Sequence, residues 1–242
     1  MSVMCDRRIL GGFRCLDGIT KRSIVSPLSV TGKQLTLHPN RSGVYAVFDA
    51  PGLHKLTTQF LAPGSWPAAS GFEVTIEDPA LNYLPRRKRI QAPQPLPILA
   101  PQDVVLFPTP AAAVAPHWGV VRASVQSNAV PPAGLPWSVL RVVSGSTVLA
   151  TGMADIHGEA LLAVPGLRLQ VSASSGGAVT ETTTPATLTA LFDPSVTDRP
   201  TDWIPDPDDI LLNLSGAQWK SASQAVELGP GQTVFVTMTI SV

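Results

Sequence analysis

Charge is scarce in this 242-residue chain: Asp, Glu, Lys and Arg make up 14% of it, seventeen of each sign, and the formal net charge is zero. A chain without a field of one sign has no long-range pull toward nucleic acid or an anionic membrane, so neither is an expected partner. No apolar run approaches the ~18 residues that a membrane-spanning helix needs, and no membrane insertion is expected. Met1 to Arg14 is charged and has no apolar signal-peptide core, which sets cytoplasmic synthesis without a leader as the expectation. Cysteine is limited to Cys5 and Cys15. In a leaderless chain both are expected to stay reduced and structural, and without a Cys-x-x-Cys pair or nearby histidines they make no zinc site.

Histidine is equally thin, with His38, His54, His117 and His157 as the whole supply. Asp155 and His157 stand two apart just before Gly158, where the side chain of Asp155 is better used to accept backbone N–H bonds in a turn. No third ligand or nucleophile accompanies them, so no catalytic residue, cofactor or metal ligand is expected. The acidic run Asp198, Asp202, Asp206, Asp208 and Asp209 lacks the Asp-x-Asp-x-Asp-Gly order of a calcium loop and reads as a solvated or partner-facing segment.

What the chain has in excess is turn chemistry, with 24 prolines and 19 glycines set in a 44% apolar sequence. It also repeats itself. Asn40-Arg41-Ser42-Gly43, Val44-Tyr45-Ala46-Val47 and Pro51-Gly52-Leu53 recur as Asp155-Ile156-His157-Gly158, Glu159-Ala160-Leu161-Leu162 and Pro165-Gly166-Leu167. Asp78-Pro79 recurs as Asp193-Pro194, and Pro27-Leu28-Ser29-Val30 as Pro136-Trp137-Ser138-Val139. Gly43 and Gly158 stand about 115 residues apart, as do Asp78 and Asp193, so order and spacing repeat together.

Short β-branched or alternating runs bounded by Gly, Pro and Asn turns predict an all-β fold, and the repeat predicts two tandem β-sandwiches. Strands are expected at Arg8 to Leu16, Ser26 to Leu37, Gly43 to Asp49, His54 to Leu61 and Phe72 to Glu77. The second copy supplies Val120 to Gln126, Trp137 to Val143, Thr147 to Met153, Glu159 to Val164, Leu167 to Ser172 and Ala186 to Phe192, with a tight hairpin at Ser144-Gly145. The expected division is a first sandwich over 1–90, a Pro-rich connector over 91–116, a second sandwich over 117–195 and a C-terminal extension over 196–242. Ser215 to Val226 reads as one short helix. Thr233 to Val242 alternates strictly and reads as a terminal strand.

Interface candidates follow from patches without another use. Arg86, Arg87, Lys88 and Arg89 form the one dense basic patch, read as a charged sheet edge or a contact for an acidic surface. Trp203 sits in a Pro-rich loop as an interface anchor, whereas Trp137 opens a strand and reads as core. Val234, Phe235, Val236, Met238 and Ile240 in the last strand either close the second sandwich or complete a sheet in a neighbouring subunit.

The run Thr151-Gly152-Met153-Ala154-Asp155-Ile156-His157-Gly158-Glu159-Ala160-Leu161-Leu162, followed by Val164-Pro165-Gly166, resembles the central hairpin of carboxypeptidase regulatory-like, transthyretin-like β-sandwiches. The first copy departs from it with Asn40 in place of Asp. The resemblance implies a sandwich fold and a non-catalytic role. Small sandwiches, Pro-rich connectors and extended terminal strands also resemble subunits of phage tails and contractile injection particles. That likeness implies a structural or adaptor subunit contacting other protein subunits, with a homo-oligomer among the expected arrangements. The alternative expectation is a stand-alone module binding a glycan or protein surface through Leu61 to Gly71 and Asp198 to Asp209.

Overall fold

The computed structural model describes residues 9–58, 66–94, 100–167, 170–173, 179–200, 202–212 and 218–242, with backbone alone for 170–173 and 179–182. Cys5, and parts of Leu61 to Gly71, of the expected connector and of Leu167 to Ser172, lie outside the described residues. Strands dominate, and the chain divides into two units, one holding most residues up to Leu106 and the other Gly18–Thr20, Leu81–Leu84 and Phe107–Val242.

Unit 1 contains β1 (Gly11–Asp17), β2 (Ser29–Gly32), β3 (Thr36–Pro39), β4 (Val44–Asp49), helix α1 (His54–Thr58), β5 (Ser70–Glu77), β6 (Arg86–Ala92) and β7 (Gln102–Leu106). Its sheets run β3-β4-β1-β7 and β2-β5-β6. Unit 2 contains β8 (Gly119–Ser127), β9 (Val139–Ser144), β10 (Thr147–Met153), β11 (Glu159–Val164), β12 (Gln170–Ala173), β13 (Val179–Thr182), β14 (Thr184–Phe192), α2 (Pro207–Leu212), β15 (Lys220–Leu228) and β16 (Thr233–Ile240). Its main sheets run β11-β8-β16 and β10-β9-β14-β15.

The two units repeat one plan. In each, the first strand pairs antiparallel with the fourth, as β1 with β4 and β8 with β11. In each it also pairs parallel with the last, as β1 with β7 and β8 with β16. The opposing sheets match as β2-β5-β6 and β9-β14-β15. The third strand differs: β3 joins β4, whereas β10 joins β9. The core of unit 2 draws Val121, Val125, Leu162, Val236, Met238 and Ile240 from one sheet and Leu140, Val142, Leu188, Phe192 and Leu228 from the other, so the sheets face each other as in a sandwich. Each such side chain, removed from water, contributes about 1.5–3 kcal/mol.

The repeated turn explains why the copies fold alike. Asn40 Oδ1 accepts the backbone N–H groups of Ser42 and Val44, each at 2.9 Å. Asp155 Oδ1 accepts those of His157 at 2.8 Å and Glu159 at 3.0 Å. An amide oxygen and a carboxylate oxygen serve equally as the acceptor. The closing glycines, Gly43 and Gly158, have φ of +75° and +83°, and a Cβ on either would stand 2.4 Å from a carbonyl oxygen, that of Ile24 or Val125. Positive φ and lack of space both demand glycine there.

Three local expectations differ from the fold. His54 to Leu61, read as a strand, begins with α1, because Leu53 and Leu56 are both buried and their spacing of three puts them on one helical face and on opposite faces of a strand. Ser215 to Val226, read as a helix, instead leads into β15, which pairs with β14 over its full length and overrides a weak helical preference. The helix stands earlier, at α2, with Pro207 at its start, Asp208 and Asp209 in its first turn, and Asp206 Oδ1 accepting the Asp208 N–H at 3.1 Å.

The stretch expected as a connector is drawn into sheets. Gln94 is buried, and its side chain bonds both backbone groups of Gly12, at 3.0 Å to N–H and 2.8 Å to the carbonyl. Gln102 does the same for Gln91, and β7 then aligns beside β1. Glutamine amides supply the donor and acceptor that neighbouring prolines cannot. Further on, Ala112 packs with Val120 and Leu161 of unit 2.

Cys15 is a free thiol buried in unit 1, where burial pushes its pKa up to about 12 against the opposing charge of Arg86. An unfolded thiol ionises first, near pH 8.5–9, so the unfolded state binds fewer protons and stability falls as pH rises from there toward about 12. In a Cys5→Ser chain, a thiol reagent at pH 8 is expected to label no native protein and one cysteine after urea unfolding. Labelling of the native chain at the unfolded rate would contradict the burial.

The glycines make a second prediction. Gly166 has φ of +75° but open space around its missing Cβ. Gly166→Ala should therefore cost about 1 kcal/mol in urea unfolding, while Gly158→Ala, which adds a steric clash, should cost about 2–4 kcal/mol. Equal costs would contradict the close approach to Val125.

Candidate protein-binding groove

Unit 2 differs from unit 1 most between β14 and β15, the counterparts of β5 and β6. In unit 1, Glu77 and Arg86 bound a short link; in unit 2, the matching link from Phe192 to Lys220 carries an insertion. Both links start alike, Asp78 Oδ1 accepting the Ala80 N–H and Asp193 Oδ1 that of Ser195, each at 2.9 Å. The second then continues as a short 3-10 helix, Pro194–Asp198, and reaches Trp203 before α2.

This insertion and the Asp155 turn enclose a groove of about 260 Å³, whose walls include Trp137, Ile156, Val196, Arg199, Pro200 and Trp203. The Arg199 guanidinium lies 5.6 Å from the ring centroid of Trp203. Cation and ring stack, which holds Trp203 in place and leaves a positive charge at the rim. Ile156, at the tip of the Asp155 turn, is 53% exposed. Trp137 is 6% exposed and holds φ of +58°, a strained conformation for an aromatic residue. Its N–H donates to the Asp155 carbonyl at 3.2 Å, and Ser138 beside it donates to the Leu135 carbonyl at 2.9 Å. The turn that closes the β10–β11 connection thus also fixes the floor of the groove.

Unit 1 provides an internal comparison. Where the repeat places Trp137 and Ile156, unit 1 has Leu28 and Arg41. A second concavity of about 230 Å³, in unit 1, is lined by residues such as Ile9, Asn40, Val44 and Pro101, none of them aromatic or charged. The aromatic, cation-rimmed groove forms where the insertion meets frame positions that hold Trp137 and Ile156 in unit 2 alone.

The residues expected at interfaces fall into different environments. Trp203 lines the groove. Arg86 is 1% exposed, and its Nη1 donates to the Val105 carbonyl, so this cation belongs to the interior of unit 1 and presents nothing to a partner. Arg87 reaches Glu73 at 3.6 Å, Lys88 is half-buried, and Arg89 is exposed with its guanidinium against Gly71. Strand alternation splits the patch between two faces, leaving no open cluster of four charges. Val236, Met238 and Ile240 are buried in the core of unit 2 and Val234 packs against it, as β16 pairs with β8 of its own chain. Phe235 points the other way and is 76% exposed.

The sequence signalled Trp203, but not its meeting with Trp137 and Ile156, which are distant in the chain. Among the described residues no group of His, Cys, Asp and Glu is arranged to hold a metal, and no helix is long and apolar enough to cross a membrane.

No protein-family model matches the chain, and no curated protein is similar to it. Among solved structures, the Bacillus anthracis TIE protein is similar at 8% identity and a TM-score of 0.27, over 97% of this chain and 34% of that one. The chain spans about a third of that structure's length, and a likeness this distant carries no functional argument.

Proposed function

We propose that this chain is a non-catalytic adaptor that holds a partner protein in the groove of unit 2, as a subunit of a larger assembly. One observation carries the reading: an insertion on a repeated frame brings Trp203 and Arg199 against Trp137 and Ile156, where the other copy has neither ring. Insertions into a shared frame concentrate function because the frame tolerates them without losing its core. Two tryptophans beside aliphatic walls suit a buried apolar anchor, and the Arg199 guanidinium suits a carboxylate next to it.

The finer fold assignment, two tandem transthyretin-like or Ig-like sandwiches, is supported by the strand order common to both units. A phage-tail-like or contractile injection particle is the assembly we propose on architectural analogy. A glycan-binding module is the second reading, favoured by the Trp203 ring, since sugars also stack on tryptophan.

Panning a random peptide library against the intact chain tests the groove. The expected result is enrichment of peptides pairing a large apolar residue with an acidic one, with binding reduced about tenfold or more by Trp203→Ala or Ile156→Asp and unchanged by Arg41→Ala. Failure to enrich, together with Trp203-dependent signals on a glycan array, would replace the protein partner with a sugar.

A further inference from the structure

Strand β16 is an outer strand of its sheet among the described residues. The carbonyls of Gln232 and Ile240 accept N–H groups of Val120 and Asn128, at 2.8 and 3.1 Å. Even-numbered residues along β16 therefore turn their backbone polar groups to β8. Thr233, Phe235, Thr237 and Thr239 turn theirs to the opposite side, where no strand pairs with them among the described residues. The side chains of the same four residues are exposed.

Outer strands of soluble proteins are normally defended by charge, proline, a bulge or shortness. Here β2 is four residues long, β3 contains Pro39 and a register shift, β7 carries Asp103, and β6 carries the basic run. In unit 2, β10 has a register shift, β15 carries Lys220 and Glu227, and β11 starts at Glu159 with its other residues buried. By contrast β16, Thr-Val-Phe-Val-Thr-Met-Thr-Ile, has no charge, proline or irregular register over eight residues.

We propose that two copies of this chain pair through β16, antiparallel about a two-fold axis at Val236, joining two three-stranded sheets into one. The occupant follows from symmetry. A two-fold contact sets the strand against a second copy of its own sequence, and because β16 carries no charge this pairing brings no like charges together. The register centred on Val236 places Phe235 opposite the partner's Thr237 and Thr233 opposite the partner's Thr239. These are the residues whose N–H and C=O groups face the free side, so every one of them exchanges hydrogen bonds in this register. The outer face gains aromatic–threonine and threonine–threonine cross-strand pairs, and the exposed Phe235 ring is covered. This pairing differs from strand exchange: β16 keeps its place beside β8, and its buried face stays in its own core. Deleting 232–242 would remove core side chains and so would not isolate assembly from folding.

Light scattering on the full chain and on Thr237→Lys provides the test. The wild-type chain, 25.4 kDa as a monomer, should approach about 51 kDa at high concentration and return to 25.4 kDa on dilution. Thr237→Lys alters an exposed side chain, so it should keep the wild-type urea midpoint and remain at 25.4 kDa throughout. Thr237→Pro, which removes an N–H on the free side and fixes φ at that residue, serves as the second variant and should likewise remain monomeric. The register is read by oxidising a Phe235→Cys, Thr237→Cys chain in a Cys5→Ser background, which should yield a covalent dimer. A wild-type chain monomeric at all concentrations, a dimer that persists in Thr237→Lys, or a dimer without the cross-link would each overturn the proposal.

Discussion

The two-residue reach of one side-chain oxygen organises both halves of this protein. Asn40 in unit 1 and Asp155 in unit 2 each gather two backbone N–H groups, and each is followed by a glycine packed against a neighbouring carbonyl. Without that acceptor these exposed N–H groups would turn to water, so each bond returns only about 0.5–1.5 kcal/mol and its main effect is to fix the path of the turn. With it, the fourth strand of each unit starts in register beside the first. A one-residue slip would turn every core side chain of that strand to solvent.

Unit 2 puts the same turn to a further use. The Asp155 carbonyl holds Trp137 in its left-handed conformation while the turn's tip presents Ile156. The insertion after Phe192 then supplies Trp203, braced by Arg199. Strain at Trp137 persists because its bond to the Asp155 carbonyl and the bonds of Ser138 beside it over-determine the backbone there. Unit 1, with Leu28 and Arg41 at the matching positions, shows that the frame folds without the groove.

Local chemistry was the part of this architecture legible in the sequence. Turns at Asn40, Asp155, Gly145 and Gly166, and the alternation of Thr233 to Ile240, depend on neighbours a few residues away. Long-range competition was not legible. Nothing in Lys220 to Leu228 announces that a nine-residue ladder with β14 will outbid a helix. The burial of Arg86 against the Val105 carbonyl requires knowing which face of β6 lies inside, and a run of four cations hides that alternation. The groove was similarly hidden, because its walls come from the repeated frame and from an insertion that the repeat itself does not contain.

The turn's control of the groove can be measured directly from the indole N–H resonances of Asp155→Ala and Asp155→Asn chains. Asn40 already performs the acceptor role in unit 1, so Asp155→Asn should leave the Trp137 and Trp203 signals near their wild-type positions. Asp155→Ala should shift or broaden both and leave the amide signals of the Asn40 turn in place. Unchanged Trp137 and Trp203 resonances in a folded Asp155→Ala chain would contradict the account.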